Sequence, residues 1–364
     1  MTHNYHNKNR RKKSILQVGI VVFILLAVCI IAVIVLAADR TPVIQYTSAG
    51  AKTGAANETV TGTGAANDTA TGTSSHLTTE QSTTIELNGE TYIPKKNIET
   101  YLFMGIDDPN KVQKRDSYDG TGQCDVVMLL VRDKSAGTYQ TLTLDRNTMM
   151  DVKSLDIDGS YLATTKNQLA LAHSDGDGLE ISCENVVDAV SNFLYGQKID
   201  GYAAVNMGCI GIINQLIGGV TVTIEDDFSE IDSSLRMGET ITLNDEQAVH
   251  YIRGRKSVGD ETNASRLRRQ SVYLAQAEEK LRELCAEDGS FPLKIYEALE
   301  EYMVTDISSQ KFSKIAMLAV NDKSEGSLKL EGETIIGEMD FEEFWADQES
   351  LEQVIAQLFY KSAD

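Results

Sequence analysis

The chain predicts an α/β fold: a three-layer α-β-α domain with a mixed central sheet, preceded by one transmembrane helix and a flexible tether. Three observations carry this. Apolar runs of strand length with little alternation, such as Val126 to Val131, suit strands buried on both faces. Segments of helical spacing alternate with those strands, as in a sheet covered on both sides. Ahead of both lies an apolar run from Ile15 to Ala38, directly behind a basic tail.

Residues 1–13 hold Lys8, Arg10, Arg11, Lys12 and Lys13 and no acid. The segment 14–38 is long enough to cross a bilayer core of roughly 30 Å at about 1.5 Å per residue. It exceeds the roughly 7 to 15 apolar residues of a cleavable signal, and Val35-Leu36-Ala37 is a poor cleavage site. Cations before the span, against Asp39 and Arg40 after it, place the N-terminus in the cytoplasm and the rest outside. Residues 39–84 are rich in Thr, Gly, Ala, Ser and Asn and carry the near-repeat TGAANETVTG, TGAANDTATG. Such a segment buries too little to offset ordering entropy and reads as a tether, with a reach on the order of 35 to 40 Å. The sequence therefore predicts a single-pass protein of the cell membrane whose folded part works outside, near the lipid bilayer.

The folded part divides into a domain at 85–290 and an acidic helical extension at 291–364. Ile85 to Ile93 predicts a hairpin turning at Asn88-Gly89. Tyr101 to Asp107, Asp125 to Asp133 and Tyr139 to Arg146 predict strands, the last two joined by a turn at Lys134 to Gly137. A helix is expected over Asn185 to Tyr195 and a strand over Tyr202 to Asn206. Ile210, Ile213 and Ile217 mark a second helix, closed by Gly218-Gly219 before a strand at Val220 to Ile224. Asn244 and Gln247 form a capping box, and a long helix starts near Ala264. Phe291 to Val320 reads as helical, as does Glu338 to Phe359. Five cysteines, one inside the span, show no metal or disulfide spacing, so buried free thiols are expected.

Candidate chemistry gathers at strand ends, where ligands of such sheets bind. Asp107 and Asp108 end the first strand, Asp125 opens the second and Arg146 ends the third. If the last two form an antiparallel hairpin, Asp125 and Arg146 become neighbours, with Asp107 joining them if the first strand runs parallel to the third. Two carboxylates at one edge suit a hard divalent cation that shares substrate phosphates. The plainer alternative is that Asp107 and Asp108 open a turn with Pro109. In a chain of net charge -21, the stretch YIRGRKSVGDETNASRLRRQ at Tyr251 to Gln270 concentrates Arg253, Arg255, Lys256, Arg266, Arg268 and Arg269. Planar guanidinium forks match phosphate oxygens two at a time. A solvated helix face paired with Asp260 and Glu261 would leave the same pattern.

In order, the basic tail and span, YLFMGID, CDVVMLLV, LDRNT, IDGYAAVNMGCIGIINQLIGGVTV and the Tyr251 to Gln270 stretch resemble the LytR-CpsA-Psr family of cell-wall ligases. The resemblance runs from about Tyr101 to Leu284 and is most specific in its last segment. It implies a phosphotransferase that moves a glycopolymer from an undecaprenyl diphosphate carrier to peptidoglycan through a phosphodiester, with magnesium (Mg2+) assisting. Carried over by position, Asp107 and Asp125 would hold the metal. Arg146, Arg253, Arg255, Arg266 and Arg269 would grip the diphosphate, with Gln270 in support. Asp260 would orient an arginine or help to deprotonate the acceptor, and Arg253→Ala or Arg266→Ala would cut turnover with the fold intact.

Two departures stand out. The family usually reads Pro-Arg-Asp-Thr after its third strand, where this chain reads Asp145, Arg146, Asn147, Thr148, so a base at position 147 lacks its charge. The loop between Asp107 and Asp125 is long and adds Asp116 and Asp119 as candidate oxygen donors. A polyprenyl-diphosphate binding or hydrolysing protein is the alternative that Asn147 keeps open. A nucleic-acid-binding regulator is opposed by the outside placement and the acidity of the chain.

Overall fold

The computed structural model describes residues 84–363, apart from 88, 118–120, 319–321 and 339. The basic tail, the span and the tether up to residue 83 lie outside the described residues. Among the described residues no helix is long and apolar enough to cross a membrane.

The chain opens on a hairpin, β1 (Ile85–Leu87) and β2 (Glu90–Pro94), with Gly89 in the left-handed region at its turn. An antiparallel meander follows: β3 (Ile98–Ile106), β4 (Cys124–Asp133) and β5 (Thr138–Leu144). Next come a separate hairpin, β6 (Met149–Leu155) and β7 (Tyr161–Gln168), then helix α1 (Glu180–Phe193), β8 (Tyr202–Asn206) and α2 (Cys209–Leu216). β9 (Thr221–Thr223) and β10 (Thr240–Thr242) make a small ribbon ahead of α3 (Asp245–Arg253) and the long α4 (Asn263–Glu287). The chain continues through α5 (Phe291–Leu299), β11 (Met303–Thr305), α6 (Ser309–Ala316) and β12 (Lys323–Lys329). It ends with a hairpin of β13 (Gly332–Ile336) and β14 (Glu342–Ala346), then α7 (Gln348–Phe359) and β15 (Tyr360–Ser362).

Six strands form the central sheet in the order β11-β8-β3-β4-β5-β12. It is mixed: β8 runs parallel to β3 and β12 parallel to β5, while the other neighbours are antiparallel. Alternate side chains of β3 and β4 enter two separate cores. Tyr101, Phe103, Val126 and Met128 pack with residues of α2 through α6 on one face. Leu102, Met104, Val127 and Leu129 pack with α1, α7 and β6 on the other. Double-sided burial explains the unalternating apolar runs, since each fully buried aliphatic side chain contributes about 1.5 to 3 kcal/mol.

The segment after residue 290 departs from the helical expectation. Both outer strands of the central sheet, β11 and β12, come from it, so the domain does not close at 290. Phe341, Phe344 and Trp345 have helical spacing, yet Phe344 and Trp345 lie on β14, paired with Thr334 and Glu333. Only 348–359 of the last expected helix is helical. Cross-strand pairing overrides a short periodic pattern here because it satisfies the same backbone groups while seating the hairpin on its neighbours.

Candidate functional site

The β3–β4 register builds the site. Gly105 pairs with Val126 and Ile106 with Cys124, so Asp125 is the extra residue of a bulge. Bulges re-aim side chains at sheet edges. Beyond the bulge the chains stay joined, the Asp107 N–H donating to the Gln123 carbonyl at 2.9 Å. On the other side Val127 pairs with Leu144, which carries Arg146 to the level of Asp125. The Arg146 fork closes on both neighbours: Nη1 is 2.7 Å from Asp125 Oδ1, and Nη2 donates to Gln123 Oε1 at 2.6 Å. Asp125 is 1% exposed and Arg146 18%, so this charge pair sits where water screens it little. Gln123 went unnoticed in the sequence, where nothing marks it beyond its place before Cys124-Asp125.

Asp107 is half-buried, whereas Asp108 belongs to the turn. Its carboxylate accepts the Asn110 N–H at 2.8 Å and the Asn110 side chain at 2.9 Å. Asn206, at the end of β8, donates to the Asn110 carbonyl at 2.8 Å and pins that turn to the sheet. A Cβ on Gly208 would come 2.2 Å from the Pro109 carbonyl oxygen, so the close approach needs glycine.

Helix direction turns the basic segment toward the same edge. In α2, Asn214 accepts the Tyr273 hydroxyl of α4 at 3.0 Å; farther along α4 and just past the end of α2, Lys280 donates to the Gly218 carbonyl at 3.3 Å. The two contacts advance together, so α4 runs in the direction of α2. Its first turns therefore lie toward the edge where α2 begins, just past the end of β8.

Half of the basic motif holds the other half. Arg269 donates to the carbonyls of Tyr251 (3.1 Å) and Gly254, and Gln270 donates to that of Ile252 (3.0 Å). These are the carbonyls that the end of α3 leaves over, and a cation there also suits the helix dipole. The clamp fixes the stretch that carries Arg253 and Arg255, both half-buried. Arg269 itself is 2% exposed, lies 5.3 Å from the Phe228 ring centre and pairs with Asp226, which also accepts the Ser265 hydroxyl at 2.8 Å. Arg268 reaches out to Glu225 at 3.1 Å and Asp226 at 3.0 Å, and Lys256 faces solvent. Asp226 is the residue most missed by sequence reasoning: within Glu225-Asp226-Asp227 it looks like ordinary acidic surface.

Arg266 is only 1% exposed and is among the largest fully buried side chains. Its truncation to Ala removes packing as well as charge, contrary to the expectation of an intact fold. Asp107, Arg253, Arg255, Arg266 and Gln270 are all engaged by groups of the chain. Asp260 is exposed and accepts the Thr262 N–H at 3.0 Å and the Thr262 hydroxyl at 2.8 Å. Those bonds hold its carboxyl below the usual range, and Thr262 in turn caps α4 by accepting the Ser265 N–H at 3.1 Å.

Asp107 and the bulged Asp125 form a two-carboxylate edge of the kind a hard cation uses when phosphate oxygens and water complete its shell. Arg146 already offsets part of the Asp125 charge. Among the described residues no group of three or more His, Cys, Asp or Glu is arranged to hold a metal ion. Asp116 is exposed, and Asp119 lies outside the described residues. The four described cysteines are free and buried, as expected.

Beneath this edge, His173 is buried with Nδ1 2.9 Å from the Gly122 carbonyl oxygen, and burial holds its pKa down at about 4. Unfolded histidine protonates near pH 6.5, so the stability tied to neutral His173 is full above that pH and lost as pH falls to about 4. Burial pushes the Asp175 carboxyl up to about 6, so its contribution has the opposite sign and is lost as pH rises from about 3.8 through 6. The two offset each other between about pH 4 and 6. Asp175→Asn is expected to unmask His173 as a fall of about 3 kcal/mol between pH 6.5 and 4. Urea titrations at stepped pH check this, and parallel curves for both proteins would refute it.

A sequence profile of the LytR_cpsA_psr family matches residues 60–360. The chain belongs to the LytR_cpsA_psr family. This LytR_cpsA_psr protein is 24% identical over 262 residues to Biofilm regulatory protein A of Streptococcus mutans serotype c. That match takes in 69% of this chain and 61% of the relative, so the chain spans less than two thirds of that curated protein. The crystal structure of protein gbs0355 from Streptococcus agalactiae is similar with a TM-score of 0.51 at 22% identity, covering 72% of this chain and 86% of that one. The crystal structure of B. subtilis TagV aligns at 24% identity with a TM-score of 0.49, over 72% of this chain and 96% of that one. The S. agalactiae likeness supports the α/β fold of this family member.

Proposed function

We propose that the chain is a membrane-anchored extracellular phosphotransferase that attaches a glycopolymer from a polyprenyl diphosphate carrier to peptidoglycan. Family membership supports a cell-wall glycopolymer transferase. The observation that carries the reading at the site is the Arg146–Asp125 pair beside Asp107, at the edge toward which α4 brings the basic motif. Asp107 and Asp125 would hold magnesium, which when bound neutralises charge on phosphate oxygens. Arg146, Arg253 and Arg255 bind the diphosphate, and Arg266 adds its charge from within the first turns of α4. Arg269 and Gln270 position that set through the end of α3. Asp260, depressed and committed to Thr262, positions the start of α4 and is a weak base.

The acceptor hydroxyl oxygen forms a bond to the glycan-side phosphorus. The bond from that phosphorus to the bridging oxygen breaks, and polyprenyl monophosphate leaves with the electron pair. Phosphoryl transfer of this kind depends on positioning and charge neutralisation, for which arginines suffice without a protein nucleophile.

Purified protein with magnesium, a polyprenyl-diphosphate-linked glycan and a peptidoglycan fragment is expected to give a phosphodiester adduct by mass spectrometry. Free phosphosugar without adduct would identify a hydrolase, and tight donor binding without turnover a carrier protein.

A further inference from the structure

Position 147, next to Arg146, carries an amide where the family pattern has an aspartate, and the fold brings a carboxylate to it from nearly two hundred residues away. The β13–β14 hairpin docks on the chain immediately after Arg146: the Phe344 N–H donates to the Asn147 carbonyl at 2.9 Å, and Thr148 bridges Phe344 in parallel. Gln168, at the end of β7, ties the two together, donating to the Glu342 carbonyl at 2.5 Å and to Asn147 Oδ1 at 3.4 Å. In this arrangement the Asn147 side-chain amide donates to Glu342 Oε2 at 3.4 Å. An amide that meets a carboxylate presents a donor where an aspartate would present repulsion, so Asn147 and Glu342 are complementary.

Two other candidate acids are committed. The Asp145 carboxylate accepts the Asn147 N–H at 2.8 Å and closes the turn that holds Arg146. Asp260 serves Thr262. Glu342 is exposed on β14, and its carboxylate meets the side chain that follows Arg146 in the chain.

We infer that Glu342 supplies the carboxylate that position 147 lacks and serves as the general base for the acceptor hydroxyl; the base role rests on the transferase reading above. Glu342 takes the hydroxyl proton as the oxygen–phosphorus bond forms and the bond to polyprenyl phosphate breaks. Asn147 positions it through the amide donor.

Wild type, Glu342→Gln, Asn147→Asp and the double variant test this by two independent readings. The first is the thermal midpoint. Asn147→Asp sets two carboxylates together and is expected to lower it by about 1 to 3 °C, and adding Glu342→Gln restores it. Additive midpoints would overturn the placement whatever the transfer assay reads. The second is turnover. Glu342→Gln is expected to fall about 100-fold at unchanged donor KM, in the range of a lost general base, and the double variant to regain much of it through the new aspartate. Wild-type turnover in Glu342→Gln would overturn the base role and leave the transferase reading standing. A wild type that forms no adduct would defeat the transferase reading and the base role with it.

Discussion

Asp226→Asn is expected to destabilise the protein by about 3 to 5 kcal/mol, the range for removing one partner of a buried ion pair. The variant keeps the size of Asp226 and removes the charge opposite Arg269, which is 2% exposed and cannot recover water. The loss spreads, because the same carboxylate accepts Ser265 and pairs with Arg268. Set against a typical domain stability of about 5 to 15 kcal/mol, the change should be plain in a urea or thermal unfolding curve. Glu225→Gln is the control: its bond to Arg268 is exposed on both sides and should be worth about 1 kcal/mol or less. Equal shifts in the two variants would show that the Asp226–Arg269 pair does not anchor the clamp. Donor binding should weaken in Asp226→Asn even under folding conditions, since the stretch carrying Arg253 and Arg255 depends on the Arg269 clamp.

Arg146→Ala is expected to lower transfer about 100- to 1000-fold, as for the loss of one preorganised donor to transition-state charge. It also leaves Asp125 buried without its partner, so stability falls as well. Arg146→Lys separates the two effects. Lysine keeps a positive charge near Asp125 and loses the fork that spans Asp125 and Gln123, so the unfolding curve should stay near wild type while transfer remains impaired. Near-normal transfer by Arg146→Ala would remove this strand end from the site.

Much of the fold was legible because local chemistry and tertiary structure agree. Val126 to Val131 reads as a doubly buried strand and is one. The Asn244–Gln247 capping box forms, with the Gln247 N–H donating to Asn244 at 2.9 Å and the Asn244 N–H to Gln247 at 3.0 Å. The antiparallel turn at Lys134 to Gly137 brings Asp125 and Arg146 together as its geometry requires. Reading failed where a pattern was short and a distant partner decided. Met303–Thr305 offers too few residues to show a strand period, and Phe344 with Trp345 mimics a helix until β13 is beside it.

By itself, then, the sequence determined the strands of the sheet centre, the starts of α3 and α4, the acidic strand ends and the concentration of arginine at Tyr251 to Gln270. These are set by periodicity and capping, which act within a few residues. Only the tertiary structure decided that Asp125 sits on a bulge, that Arg269 and Gln270 hold α3 while Asp226 holds Arg269, and that Glu342 stands beside Asn147. Each depends on register or on contacts between residues far apart in the chain. A buried charge takes its partner from whatever surface the fold closes over it.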